Sequence, residues 1–206
     1  MRNILFLLTL SLCLAGCADK PFYVAELGTA GSTTGEHGID RMSIDDVLGG
    51  GAGFGYGAIS GYPGKIADIG KMGVPKHIEG NWAKFEDKID KFYRISAQID
   101  SELAEKKIRT MQNYYENFSN NRPAMQVVVD SERVRVFFSP GCYELYDDCT
   151  PKKNADPNGY VVRTPDEGSD VVVLFDGKGE YSPIPFPGTR FDEPRFYPSG
   201  YDANQK

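Results

Sequence analysis

Histidine is nearly absent from this chain: 206 residues hold two, His37 and His77. Any imidazole acting as an acid or base must therefore be one of these two. Positive charge is also scarce. Lys and Arg number 23 against 29 Asp and Glu, a formal net charge of −6. The only adjacent basic pairs are Lys106-Lys107 and Lys152-Lys153. This balance argues against nucleic acid and against an electrostatic hold on anionic headgroups. No complete G-x-G-x-x-G occurs, and Gly64-Lys65 is followed by Ile66, so a phosphate-cradling loop is excluded and no nucleotide is expected. Serine hydrolase motifs are missing too. Ser60 in Gly57-Ala58-Ile59-Ser60-Gly61 stands one residue away from a G-x-S-x-G elbow, and no S-x-x-K occurs. His77 precedes a strand, where a hydrogen-bonded structural or surface histidine is the ordinary reading. The carboxylate pairs Asp45-Asp46, Asp147-Asp148 and Asp166-Glu167 read as solvated loops, since glycosidic acid–base work needs two carboxyls facing one cleft. No residue set specifies catalysis, and the chain reads as a non-enzyme with no cofactor.

One apolar run is present, at the start. Met1-Arg2-Asn3 is a minimal basic segment, Ile4 to Leu14 is apolar, and Leu14-Ala15-Gly16-Cys17 closes it. The run is shorter than the roughly 20 residues that span a bilayer. An ordinary secretory peptide ends A-x-A, whereas here Cys17 takes the first position after the cut. The pattern is that of the lipobox of a bacterial lipoprotein, with residues 1–16 removed as signal peptide and the Cys17 thiol carrying a diacylglycerol. An amide-linked acyl chain such as palmitate completes the usual anchor, and each buried CH₂ contributes about 0.8 kcal/mol. Ala18 follows the cysteine; an Asp there would favour inner-membrane retention in enterobacteria, so the expected address is the outer membrane, facing the periplasm.

This assignment sorts the cysteines. Cys13 leaves with the signal peptide and Cys17 is acylated, so Cys142 and Cys149 remain. In an exported chain two thiols at this spacing most simply form a disulfide. A metal there would need two further ligands, and both histidines lie far off in sequence. Asn154-Ala155-Asp156-Pro157-Asn158-Gly159 alternates oxygen-bearing residues before a glycine, as an EF-hand loop begins, which makes Asn154, Asp156 and Asn158 a weak calcium candidate. Its twelfth position is Pro165 where a bidentate Glu is needed, and a plain turn explains the same residues.

Residues 17–38 read as a lipidated tether, with one predicted strand at Phe22 to Leu27. Half of the residues from Gly49 to Gly64 are glycine, which predicts an irregular loop. Ile78 to Phe85 and Lys91 to Ile99 read as strands, with Glu86 to Asp90 as their turn; Tyr93, Ile95, Ala97 and Ile99 share one face. Asp100 or Ser101 caps a helix predicted to run to about Phe118, with Ala104, Ile108, Met111, Tyr115 and Phe118 on its apolar face. Met125 to Val129 and Arg133 to Phe138 form a hairpin around Asp130-Ser131-Glu132. Tyr160 to Arg163, Val171 to Phe175 and Glu180 to Ser182 add strands. The fold class is α+β: residues 39–182 form a single β-rich domain of antiparallel strands with one long amphipathic helix. Residues 183–206 form a tail of prolines and aromatics expected to pack along the domain.

Gly73-Val74-Pro75 leading to Trp82, the Phe92-Tyr93-Arg94 strand, the helix after it and Val134-Arg135-Val136-Phe137 resemble, in order and spacing over roughly residues 40–140, a group of small proteobacterial lipoproteins. Several members look like immunity proteins encoded beside type VI secretion phospholipase effectors. The resemblance implies a periplasm-facing lipoprotein that binds an incoming toxin, and it maps no inhibitory residue onto this chain. The alternative is an envelope structural or accessory lipoprotein with no toxin partner. A neighbouring gene for a secreted lipase would favour the first; a cell-wall-binding pattern, which the chain does not show, would favour the second.

Overall fold

The structure is a computed structural model, which describes residues 24–29, 31–61, 70–86, 91–118, 122–198 and 200. The anchor segment with Leu14, Ala15, Gly16 and Cys17 lies outside the described residues, as do the turn residues 87–90. In chain order the elements are β1 (Ala25–Thr29), β2 (Ser32–Asp46), β3 (Gly51–Gly61), β4 (Lys71–Met72), β5 (Pro75–Lys84), β6 (Lys91–Gln98), α1 (Ser101–Gln112), β7 (Ala124–Asp130), β8 (Arg133–Ser139), β9 (Val161–Arg163), β10 (Asp170–Lys178) and β11 (Glu180–Ser182). They build a six-stranded sheet A, ordered β4-β1-β7-β8-β10-β9, and a five-stranded sheet B, ordered β11-β6-β5-β2-β3. Every pairing is antiparallel except that of β1 with β7, which is parallel. The α+β class holds in this form.

Alternation along the strands supplies the core. Val127 and Val129 of β7, Val134, Val136 and Phe138 of β8, Met42 and Ile44 of β2, and Ile78 and Trp82 of β5 meet in one cluster with Ala104, Ile108 and Met111 of α1. Residues two apart on a strand share a face, so two sheets and one helix bury one continuous apolar surface. Asp100 caps α1, its carboxylate accepting the Leu103 amide at 3.0 Å. The C-terminal aromatics do pack along the domain: Phe191 is 4% exposed against Ala83 and Phe92 of sheet B, with Phe85, Phe186 and Phe196 around it.

Three expectations change. The helix is 12 residues long and stops at Gln112. Beyond it the backbone bonds to residues 150–152, through Glu116 N–H to Thr150 O at 3.0 Å and Lys152 N–H to Tyr114 O at 2.8 Å, and these bonds replace further helical ones. Tyr115 is buried and Phe118 packs against the core without being helical. The glycine-rich stretch is strand β3 rather than an irregular loop. A Cβ at Gly51, Gly53 or Gly55 would stand 2.6, 2.9 or 2.4 Å from a carbonyl oxygen of β2, so the missing side chains let β3 lie against its neighbour. The folded domain also begins well before residue 39. β1 and the first half of β2 fall within the expected tether, with Leu27, Ser32 and His37 buried.

The two sheets are clasped at the β7–β8 turn. Trp82 Nε1–H donates to Ser131 O at 2.7 Å, Lys84 Nζ donates to Ser131 Oγ at 3.2 Å, and Ser131 N–H donates to His37 Nε2 at 3.0 Å. Ser131 holds φ at 55°, which aims both its amide and its carbonyl at sheet B.

Candidate functional site

Cys142 and Cys149 form the expected disulfide, with Cα atoms 5.9 Å apart. Inside the ring the chain makes one tight turn: Tyr143 O accepts the amides of Tyr146 and Asp147, both at 2.8 Å. Asp147 answers with Oδ2 accepting the Tyr143 amide at 3.1 Å. The base is held from three directions. Cys142 is buried in the core, Asn117 Nδ2 donates to Asp148 Oδ2 at 2.9 Å, and Arg163 of β9 pairs with Glu144 at 3.1 Å. Hydrogen bonds from Thr150 and Asn117 hold the Asp148 carboxyl below its ordinary range.

With its interior taken up by the disulfide and its backbone bonded to itself, this loop turns apolar side chains outward. Leu145 and Tyr146 are each 87% exposed and Tyr143 is 49% exposed. The disulfide and these hydrogen bonds tie the backbone beneath them, so covering them costs side-chain rather than backbone freedom. A scattered exposed leucine is ordinary, but Leu145 and Tyr146 are adjacent, and Tyr is enriched where interfaces concentrate their energy.

The other residues singled out in the sequence occupy separate places. Asp156 is engaged within its own turn, where its two carboxylate oxygens accept the amides of Tyr160 at 2.9 Å and Val161 at 2.8 Å. Asn154 sits at φ 59° in the same turn, and Asn154 and Asn158 are exposed. Among the described residues no group of three or more His, Cys, Asp or Glu is placed to hold a metal ion. Asp46 is buried and accepts backbone amides from Leu48, Gly50 and Gly73 at 2.8 to 2.9 Å, which fixes the turn after β2. Asp166 similarly accepts from Thr164 Oγ1 at 2.6 Å.

His37 is fully buried and bonded at both ring nitrogens, to Gly35 O at 2.9 Å and to the Ser131 amide at 3.0 Å. Burial, reinforced by Lys84, lowers its pKa. His77 is different: its Nε2 lies 3.1 Å from Ser96 Oγ and its Nδ1 lies 3.7 Å from Asp45 Oδ2. Ser96 carries no signal in the sequence, because the contact is a diagonal one across β5 and β6 and depends on their register. The exposed pair Leu145 and Tyr146 was legible only as two apolar residues between cysteines.

A concavity on sheet A is lined by Arg133, Arg135 and Arg163 above Phe137 and Val173. Its guanidinium groups are held by carboxylates, Arg133 by Asp176 and Arg135 by Asp130, both at 2.5 Å. No family model matches the chain, and no curated protein or solved structure matches it.

Proposed function

We propose that this chain is a lipid-anchored envelope protein whose domain binds a protein partner, acting as an immunity lipoprotein against a secreted phospholipase effector. The observation that carries this reading is the Cys142–Cys149 ring, which holds Leu145 and Tyr146 in solvent on a braced support. Keeping two large apolar side chains uncovered forgoes about 1.5–3 kcal/mol of burial for each, a cost recovered when a partner covers them. The lipobox at Leu14, Ala15, Gly16 and Cys17 supports the membrane address, with the outer membrane as its location and the periplasm as the compartment in which the domain works. The disulfide fits an oxidising compartment as well.

Affinity capture from periplasmic extract with residues 18–206 tests the reading. Recovery of a phospholipase at nanomolar affinity, lost in L145S/Y146S, is the expected result. Recovery of cell-wall fragments alone would assign the chain to envelope maintenance and reject the immunity role. The anchor is tested separately: Cys17→Ser should end labelling by a palmitate analogue, and persistent labelling would refute it.

A further inference from the structure

We infer that Ser96, His77 and Asp45 form a site that cleaves short-chain carboxylic esters. The three residues stand on adjacent strands of sheet B, β6, β5 and β2, brought together by the register that pairs His77 with Asp45 on one side and with Gln98 on the other. Ser96 Oγ lies within hydrogen-bond reach of His77 Nε2 at 3.1 Å. On the far side of the ring, Asp45 Oδ2 stands 3.7 Å from Nδ1. A proton on Nδ1 then faces the carboxylate and leaves the Nε2 lone pair for the serine hydroxyl, the tautomer a general base requires. The Asp45 contact is longer than a hydrogen bond, and such contacts in unliganded sites commonly tighten around a substrate.

A second observation places an acceptor site for negative charge beside the serine. Ile99 donates its amide to Lys76 O at 2.8 Å, so odd-numbered residues of β6 direct their backbone groups toward β5. The even-numbered residues direct theirs the other way. There Phe92 and Arg94 meet β11, and the pairing ends at Arg94 with Glu180. The Ser96 N–H therefore points past the end of β11, where no described strand pairs with it. Ser96 lines a cleft of about 750 Å³ together with Glu79, Asn81, Arg94, Lys178 and Glu180. Arg94, held through Nε by Glu180 at 2.7 Å, brings a guanidinium to the same wall. An amide donor on the nucleophile's own residue is the arrangement that stabilises an oxyanion. Ile95 and Ala97 reach it from the core-facing side of β6, so the cleft offers little apolar surface, which suits a short acyl group.

In the reaction the Ser96 Oγ attacks the ester carbonyl carbon, forming a C–O bond as the hydroxyl proton moves to His77 Nε2. The carbonyl oxygen takes the negative charge and is met by the Ser96 N–H. The bond from that carbon to the alkoxy oxygen then breaks, and His77 returns its proton to the departing alcohol. Water attacks the acyl-serine by the same route, passing its proton through His77 and releasing the carboxylic acid with Ser96 restored. No residue of the Cys142–Cys149 loop takes part, so this activity stands or falls independently of the partner-binding role.

The full chain is treated with a fluorophosphonate probe, the modified residue is mapped by mass spectrometry, and 4-nitrophenyl acetate hydrolysis is followed alongside. The expected label is on Ser96. S96A should hydrolyse the ester at the rate of buffer with free imidazole, and H77N should slow labelling about a hundredfold, the low end of what a positioned general base contributes. Absence of label, label on any other serine, or S96A turning over at the wild-type rate would overturn the assignment. Ser96 and Asp45 are exposed, so S96A and D45N should keep the wild-type unfolding midpoint; mapping the label on the unaltered chain decides the matter even where a variant fails to fold.

Discussion

Lowering the pH from 7 to 5 should destabilise the domain through His37. Its imidazole is wholly buried in β2 and spends both nitrogens on backbone groups, Nδ1–H on Gly35 O and Nε2 on the Ser131 amide. Protonation at Nε2 would abolish the second bond and leave a charge beside Lys84, and burial alone already lowers the native pKa from the ordinary value near 6.5. The unfolded chain, by contrast, takes up a proton on this residue below pH 6.5. The unfolded state thus binds more protons in this window, and stability falls as pH falls. While the native imidazole stays neutral, the loss reaches a ceiling of about 1.9 kcal/mol between pH 7 and pH 5, approaching ~1.4 kcal/mol per unit at the acid end. The aspartates Asp130 and Asp176 do not blur the effect. Burial raises the Asp130 pKa, but hydrogen bonds from Thr33, Arg135 and Ser32 outweigh it, and the Arg133 hydrogen bond lowers that of Asp176. Their contributions are intact above the unfolded value near 3.8 and are lost only as pH drops through the lower native values. Urea unfolding at pH 7, 6 and 5 should show the slope in the wild type. H37Q keeps an acceptor for the Ser131 amide in its Oε1 but lacks the ring N–H that meets Gly35 O, so it should start lower by about 1 kcal/mol and, having no imidazole to protonate, should show a flatter dependence. His77 is present in both proteins, so the difference isolates position 37. A wild type equally stable at pH 7 and pH 5, or an H37Q slope as steep as the wild type's, would refute the reasoning.

Trp82→Phe removes the indole donor to Ser131 O and part of a fully buried side chain, and should cost about 2–3 kcal/mol by urea unfolding; a loss under about 1 kcal/mol would show that the clasp contributes little. Replacing Cys142 and Cys149 together with Ser should cost about 2.5 kcal/mol for a ring of this length while leaving the far-ultraviolet circular dichroism unchanged. Phe191→Ala should cost about 3–4 kcal/mol and raise binding of a dye that senses apolar surface, since Phe92 and Ala83 lose their cover; an unchanged midpoint would mean that the tail does not stabilise sheet B.

Features set by neighbours along the chain are legible in the sequence. Alternation in Met125 to Val129 and Arg133 to Phe138 encodes the face of the β7–β8 hairpin that enters the main core, because residues two apart share a face; that Val128 and Phe137 on the other face are buried as well is decided by Val171 of β10. The Asp100 cap and the Ala104, Ile108, Met111 stripe encode the start and buried face of α1. Its end was not legible, because Tyr115 and Phe118 continue the apolar spacing while the backbone groups of Tyr114 and Glu116 on either side of Tyr115 bond to residues 150–152, distant in sequence. Glycine spacing in β3 misleads for a related reason. Local propensity favours a loop, and the close approach to β2 that makes glycine fit is a property of the sheet.

Taken alone, the amino-acid order determined the short Cys142–Cys149 spacing and the alternating strands, and made a lipobox at Leu14 to Cys17 an expectation, since each depends on residues a few positions apart. Tertiary structure decided which apolar residues of the Cys142–Cys149 ring face water, how Ser131 clasps sheet B, and that Ser96, His77 and Asp45 meet. The ring's outcome rests on the disulfide and the turn it closes, whereas the other two depend on strand register, which is settled by the burial of whole faces against each other rather than by any one residue.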